Sequence, residues 1–327
     1  MESITQQVPP PISGIKSRPS LNEATVSIRI GIVGMGAISR HYLNAFQKQS
    51  GLELVAVCDR DERQLESPRK SGLQVVEDFH ALLRLQEMDA VVICLPNDMH
   101  YRACKAAILA GKHVCCEKPL AFTVAEAEEL VDLARQHRRT LLTSLHRRYN
   151  ANVLAAKDTV GNRKVTHIDA HYLEKIEDHS GIDTWYLDAA RCGGGCIADN
   201  GPNVFDTLSL FISNLEVVEC HIEEKRAGVD VRARIRLQGD GSVTADATLD
   251  CTYDNGERKD LDIRLEDGQK IHADMLAGFT AFKSSLNHEY EAILSDFKTR
   301  ITEHHFAGNE GVRAVQLVDA AYRCAAT

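Results

Sequence analysis

Gly31-Ile32-Val33-Gly34-Met35-Gly36-Ala37-Ile38-Ser39 stands between an apolar run, Val26 to Val33, and a stretch of helical composition, Arg40 to Gln49. The run is rich in Val and Ile, as a strand buried in a parallel sheet should be. Gly34 would permit a tight turn. Gly36, without a Cβ, would let the backbone approach a pyrophosphate at the helix N-terminus, where free N–H groups and the helix dipole favour anions. Met35, Ala37 and Ile38 complete this expected cofactor cradle, and small Ser39 takes the third glycine position. A second apolar run, Leu52 to Cys58, ends in Asp59, about 20 residues on, where a carboxylate can accept hydrogen bonds from the adenosine ribose hydroxyls. Asp59 favours NAD because it would repel a 2′-phosphate. Arg60 beside it could pair with one, so NADP is possible. The competing reading is a glycine turn in an unrelated α/β protein, with Asp59 as a helix cap.

Outward from this turn, strand and helix signals alternate. Strands are expected at Gln74 to Val76, Ala90 to Cys94, His113 to Glu117 and Thr140 to Ser144, and helices at Asp78 to Gln86, Met99 to Ala110 and from a Thr123 cap to His137. That alternation predicts an α/β Rossmann domain, a doubly wound parallel sheet, over 26–149. Ligands gather at the carboxyl ends of such strands. Topology alone therefore converges Gly34, Gly36, Asp59, Asn97, His100, Lys118 and the segment His146 to Tyr149.

After Asn150 the pattern changes. A strand-like Lys164 to Leu173 leads to Trp185, then Arg191-Cys192-Gly193-Gly194-Gly195, then a helix expected from Asp199 to Ser213. Val231, Ala233, Ile235 and Leu237 alternate with Arg232, Arg234 and Arg236. Val243 to Tyr253 opposes small apolar residues to Asp246 and Asp250, and Asp254-Asn255-Gly256 reads as a hairpin turn into Lys259 to Leu265. Residues 150–327 are thus expected to form an α+β domain for substrate binding and oligomerisation. Its mostly antiparallel open sheet has one apolar and one charged face, with cross-strand Arg–Asp pairs. Helices are expected at His288 to Lys298 and Asn309 to Cys324. Met1 to Thr25, with Pro9-Pro10-Pro11, reads as a flexible N-terminal tail.

A net charge of −9 over 327 residues argues against a nucleic-acid surface, since the cations occur as pairs rather than a stripe. There is no run of about 18 apolar residues and no signal-like N-terminus, so neither a membrane span nor export is expected and the location reads as cytoplasmic. The ten cysteines read as free thiols. Cys192 and Cys196 lack a second Cys/His pair at zinc spacing, so no metal site is expected. Arg191 could bind a substrate phosphate or carboxylate, with a bridge to a surface acid the preferred reading, and His304-His305 reads as a solvated pair.

At Glu117-Lys118-Pro119 the set becomes recognisable. Together with Gly34-Met35-Gly36, Leu95-Pro96-Asn97 followed by His100, Gly193-Gly194-Gly195 and Asp199, it resembles the Gfo/Idh/MocA oxidoreductases, named for glucose-fructose oxidoreductase, inositol dehydrogenase and rhizopine catabolism. The likeness runs from about Val26 to the C-terminus. It implies NAD(P)-dependent hydride transfer to or from a secondary alcohol or ketone of a sugar, cyclitol or related polyol, in a homodimer or homotetramer. Lys118 would be the catalytic lysine and Asp199 the carboxylate facing substrate, with Leu95, Asn97, His100 and Glu117 near the cofactor. The family's Asp-x-Gly-x-His pattern here reads Asp199-Asn200-Gly201-Pro202-Asn203. Asn203 cannot relay a proton at neutral pH but can orient a hydroxyl or carbonyl.

Lys118 could act as an ammonium on the substrate oxygen, or as a neutral amine if burial lowers its pKa. Asp199 could tune it, act as base, or merely cap a helix. His146 reads equally as a ligand contact or a structural histidine, and Trp185 with Tyr186 as substrate-lining or core aromatics. Two other functions fit the same residues: a non-catalytic NAD(P)-binding sensor, and an enzyme that recycles tightly bound NAD as a redox catalyst on sugars.

Overall fold

The computed structural model describes residues 27–180, 185–306 and 308–326. The tail expected over Met1 to Thr25 lies outside the described residues. Six strands, β1 (Ile28–Val33), β2 (Leu52–Cys58), β3 (Gln74–Val76), β4 (Ala90–Ile93), β5 (His113–Glu117) and β6 (Leu141–Ser144), form one sheet in the order β3-β2-β1-β4-β5-β6. Every pairing in it is parallel. The order reverses beside β1, so the carboxyl ends of β1 and β4 open a crevice at the switch point.

Gly34 shows why this crevice needs glycine. Its φ is +89°, and a Cβ there would lie 2.5 Å from the Cys94 carbonyl oxygen, so any side chain would push β1 away from the end of β4. The helix that follows, Ser39–Phe46, has no side-chain cap at its N-terminus, which leaves N–H groups for another acceptor.

The second sheet comprises β7 (Val165–Leu173), β8 (Glu216–Arg226), β9 (Val229–Gln238), β10 (Thr244–Asp250), β11 (Arg258–Leu265) and β12 (Lys270–Asp274), in the order β12-β11-β7-β10-β9-β8. All its pairings are antiparallel except β7 with β10. The turn at Asp254-Asn255-Gly256 therefore does not close the expected hairpin: β7 lies between β10 and β11 and pairs with both. The local turn chemistry is present, with Gly256 at φ +87°, but a long-range strand takes the place of the nearest one. The expected Arg–Asp pairs do form, with Arg236 opposite Asp246 and Arg232 opposite Asp250.

Two C-terminal helices join the halves. Ser285–Thr302 returns to the first sheet and packs Leu286, Tyr290, Ile293, Leu294 and Phe297 against the same core as Ile30, Ile32 and Val92. Glu310–Ala325 sends Val312 and Val315 into the other face of the first sheet, and Leu317 and Ala321 into the core of the second. A Val, Leu, Ile or Phe side chain among these contributes about 1.5–3 kcal/mol when fully buried. No helix among the described residues is long and apolar enough to cross a membrane.

Candidate active site

A cleft of about 800 Å³ runs from the glycine turn of the first sheet to the second sheet. Of the residues expected to bind cofactor or substrate, it is lined by Gly34, Gly36, Ala37, Ile38, Asp59, Arg60, Leu95, Asn97, His100, Glu117, Lys118, His146, Trp185, Asp199 and Asn203. Met35 is the exception. Its side chain is buried in the core with Tyr42, and its N–H donates to Asp59 Oδ2 at 2.6 Å.

At the glycine end, a Cβ on Gly36 would meet nothing within 4 Å. Open space, bare backbone and an uncapped helix N-terminus together fit a pyrophosphate. Asp59 Oδ1 accepts from the Asp61 N–H at 2.8 Å, so both carboxylate oxygens are oriented by backbone donors. Each keeps capacity for another donor. Arg60 is exposed beside it.

In the middle of the cleft, β5 ends in buried Glu117, which accepts from the Tyr42 hydroxyl at 2.9 Å. Burial pushes its carboxyl above the usual range. Lys118 follows, joined to Pro119 by a cis bond. His100 braces this corner: its two ring nitrogens lie 2.7 and 2.8 Å from the carbonyl oxygens of Pro119 and Leu95. No ring nitrogen is left for a ligand, so His100 supports the lysine loop rather than offering a hydrogen bond to the cofactor. Asn97 donates one amide N–H to the Cys192 carbonyl at 3.1 Å and keeps its amide oxygen for another partner.

Lys118 Nζ donates to Asp199 Oδ1 at 2.7 Å and to the Asp199 carbonyl at 2.8 Å. Burial pulls the lysine's pKa down, but the Asp199 carboxylate outweighs it and the net direction is upward. The ammonium is thus the resting form, against the neutral-amine alternative that burial suggested. Asp199 is not a helix cap either. It ends the short helix Cys196–Asp199, the next helix Gly201–Ser209 starts after Asn200, and the Asp199 carboxylate is turned to the lysine.

Behind that pair lies a cluster whose centre, Glu289, the sequence reading missed, although it named His146 and Asn203. Glu289, fully buried, accepts from Arg147 at 2.9 Å, Asn150 at 2.6 Å and His146 Nδ1 at 2.6 Å. His146 Nε2 lies 3.1 Å from Asn203 Nδ2. Farther along, Tyr172 carries Lys259 Nζ over its ring at 4.8 Å, and Lys259 pairs with Glu174 at 2.7 Å and with Glu257. Arg147 lies in the segment already singled out after the sixth strand, and Tyr172, one residue from the end of β7, carries a strand-end signal that could have flagged it. Glu289 gives no such signal.

Trp185 and Tyr186 stack on each other at 3.7 Å and are half-buried at the cleft. Arg191 reaches Asp98 at 3.7 Å, and His304 and His305 are exposed. Cys192 and Cys196 are buried. Two groups of metal-compatible side chains, His167, Asp169 and Asp246, and His171, Asp260 and Asp262, lie on the charged face of the second sheet. Three of their four acids, Asp169, Asp246 and Asp260, already meet Arg264, Arg236 and Arg258 at 2.7–2.8 Å, and Asp262 meets His272 at 2.8 Å.

A doubly wound parallel sheet with a glycine turn at its switch point, facing a second sheet across a cleft, makes this a two-part fold with a Rossmann half. Residues 28–145 match the model of the Gfo/Idh/MocA family, described as an oxidoreductase family with an NAD-binding Rossmann fold. It is 30% identical over 204 residues to the 1,5-anhydro-D-fructose reductase of Ensifer adhaerens, covering 62% of this chain and 61% of that protein. It is 29% identical over 184 residues to the D-glucoside 3-dehydrogenase of Escherichia coli strain K12, covering 55% and 52%. The chain thus spans a little over half the length of these curated relatives. In fold, it matches GenD2 from gentamicin A biosynthesis, solved in complex with NAD, with a TM-score of 0.83 at 19% identity over 95% of this chain and 97% of that one. A scyllo-inositol dehydrogenase from Lactobacillus casei matches with a TM-score of 0.78 at 19% identity over 91% and 96%.

Proposed function

We propose that the protein is an NAD-dependent oxidoreductase that interconverts a secondary alcohol and a ketone on a sugar, cyclitol or related polyol, with Lys118 and Asp199 at the reacting oxygen. The observation that carries this reading is the Lys118–Asp199 pair, which joins the end of β5 to the second half of the chain inside a cleft whose far end fits a pyrophosphate. The relatives named as a reductase of an anhydro sugar and a dehydrogenase of a glucoside support the substrate class.

NAD bound along the glycine turn would supply the hydride acceptor or donor; Asp59 favours it over NADP. Of the three donors on the Lys118 ammonium, two are taken by Asp199, leaving one for the substrate oxygen. In the reducing direction Lys118 polarises the carbonyl and releases a proton to the oxygen as negative charge develops. In the oxidising direction the same route runs backward: the hydroxyl proton returns to the Lys118 amine as hydride leaves the carbon, and the Asp199 carboxylate stabilises the ammonium that forms. Glu117 and His100 fix the loop that carries the lysine.

In this reading, residues 26–149 hold the cofactor and residues 150–327 carry the substrate side and the contacts of a homodimer or homotetramer, in the cytoplasm. The test is nicotinamide absorbance with NAD and NADP against cyclitols, aldoses, amino sugars and nucleotide sugars. One class is expected to reduce NAD, and Lys118→Ala to lower turnover by about 10³-fold while NAD binding survives. Tight NAD binding without turnover would favour a sensor, and product without net NADH would favour a recycled cofactor.

A further inference from the structure

A fixed polarity runs through the cleft wall behind Lys118. Burial opposes ionisation of Glu289, but Arg147 and His146 overcome it and hold the carboxyl at about 2. An ionised carboxylate only accepts, so His146 Nδ1, 2.6 Å away, carries the ring proton. Burial pushes the His146 pKa down to about 4, so the ring keeps that proton alone. Nε2 is then a lone pair, and the Asn203 group 3.1 Å from it must be the NH2. The amide cannot flip without setting two acceptors against each other. Asn203 Oδ1 is thereby fixed as an acceptor, and it is buried without a partner among the described residues. Such an atom costs stability until a donor reaches it.

Asn203 lines the cleft four residues after Asp199, and Asn200 between them has helical backbone at φ −90° and ψ −29°. The two side chains therefore share a helix face. We infer that Asn203 Oδ1 accepts a hydrogen bond from a substrate hydroxyl on a carbon beside the reacting one. This rests on the oxidoreductase reading above and narrows it to substrates bearing a hydroxyl donor there. His146 and Glu289 are positioning residues that act through Asn203. Arg147 Nε, a donor in the same wall, is also buried without a partner. A polyhydroxy compound can meet both atoms, whereas a ketone or carboxylate can meet only the arginine.

The experiment is calorimetry on the full chain loaded with NADH, titrated with myo-inositol, D-glucose and their monodeoxy analogues, beside NAD reduction with the same compounds. In the wild type, loss of one particular hydroxyl is expected to weaken binding about 10- to 100-fold, against less than about 3-fold in Asn203→Leu. NADH affinity should match in both, with the effect falling on KM more than kcat. Asn203→Asp keeps an acceptor oxygen and should restore the discrimination, which separates the contact from a folding defect. Equal discrimination by wild type and Asn203→Leu, no polyol binding at all, or a joint loss of NADH affinity would overturn the inference. Discrimination in binding without nicotinamide turnover would spare it and remove the oxidoreductase reading; turnover without discrimination would do the reverse.

Discussion

The cluster around Glu289 and the charged face of the second sheet use the same groups at the same distances, in opposite surroundings. Arg147 reaches Glu289 at 2.9 Å and His146 reaches it at 2.6 Å, with every side chain at most 7% exposed. On the sheet, Arg264 reaches Asp169 at 2.7 Å and His171 reaches Asp260 at 2.8 Å, with Arg264 51% exposed. Distance does not rank these pairs; access of water does. The buried cluster surrenders solvation on every member and repays it only if all partners stay in place. The Arg264–Asp169 pair keeps much of its water and is screened by salt, whereas His171–Asp260, 20% and 8% exposed, lies between the two extremes.

The largest difference should appear when one partner is removed from the buried set. Glu289→Ala leaves the Arg147 guanidinium without its counter-ion and frees the Asn150 and His146 donors, which is expected to cost about 3–5 kcal/mol in urea unfolding. A loss under about 1 kcal/mol would mean that water enters the cluster and that burial is not what distinguishes it.

How much of this was legible follows the same division between local and long-range causes. The glycine turn and strands β2, β3 and β5 were readable to the residue: β5 and the second half of β2 are buried apolar runs, while β3, a three-residue edge strand, stood out by Val75-Val76 between polar residues. The edge strand β8 was not, since most of it is exposed and its pairing shifts register, leaving no clean alternation. The helix Glu62–Lys70 hid behind Pro68 and a run of charges, and Ala151–Val160 was also passed over. Lys118 and Asp199 stood out through motifs whose residues their own loops hold. Glu289 did not, because Arg147 meets it across 142 positions and nothing in the chain near either residue encodes the encounter.

Acid should separate the two regions more gently. His146 is held neutral by burial, with its pKa lowered to about 4 from an ordinary 6.5, and burial lowers His41 and His113 to about 4 as well. Between those values the unfolded chain binds protons that the folded chain refuses, so stability falls as pH drops from 6.5 toward 4. For His146 the loss is on the order of 2–3 kcal/mol. Glu289, lowered to about 2 from 4.5, adds a second loss only as pH falls below 4.5. Unfolding midpoints measured from pH 7 to 4 should show the first slope, and His146→Gln should flatten part of it. An unchanged slope in that variant would assign the acid sensitivity to His41 and His113 alone.

The smallest effect belongs to the outer face, where it also bears on assembly. Arg264→Gln removes the 2.7 Å contact to Asp169, and for a pair open to water the melting temperature should move by less than about 2 °C. That expectation holds only while water covers the face. Pressed against a second copy, the same arginine would lose its hydration, and removing it would leave Asp169 with only His167 beside it in a buried contact. A large loss that shrinks as the protein is diluted would therefore place Arg264 between subunits, because only an interface makes stability depend on concentration. A small, concentration-independent change leaves the charged face in solvent and moves the search for subunit contacts elsewhere on the chain.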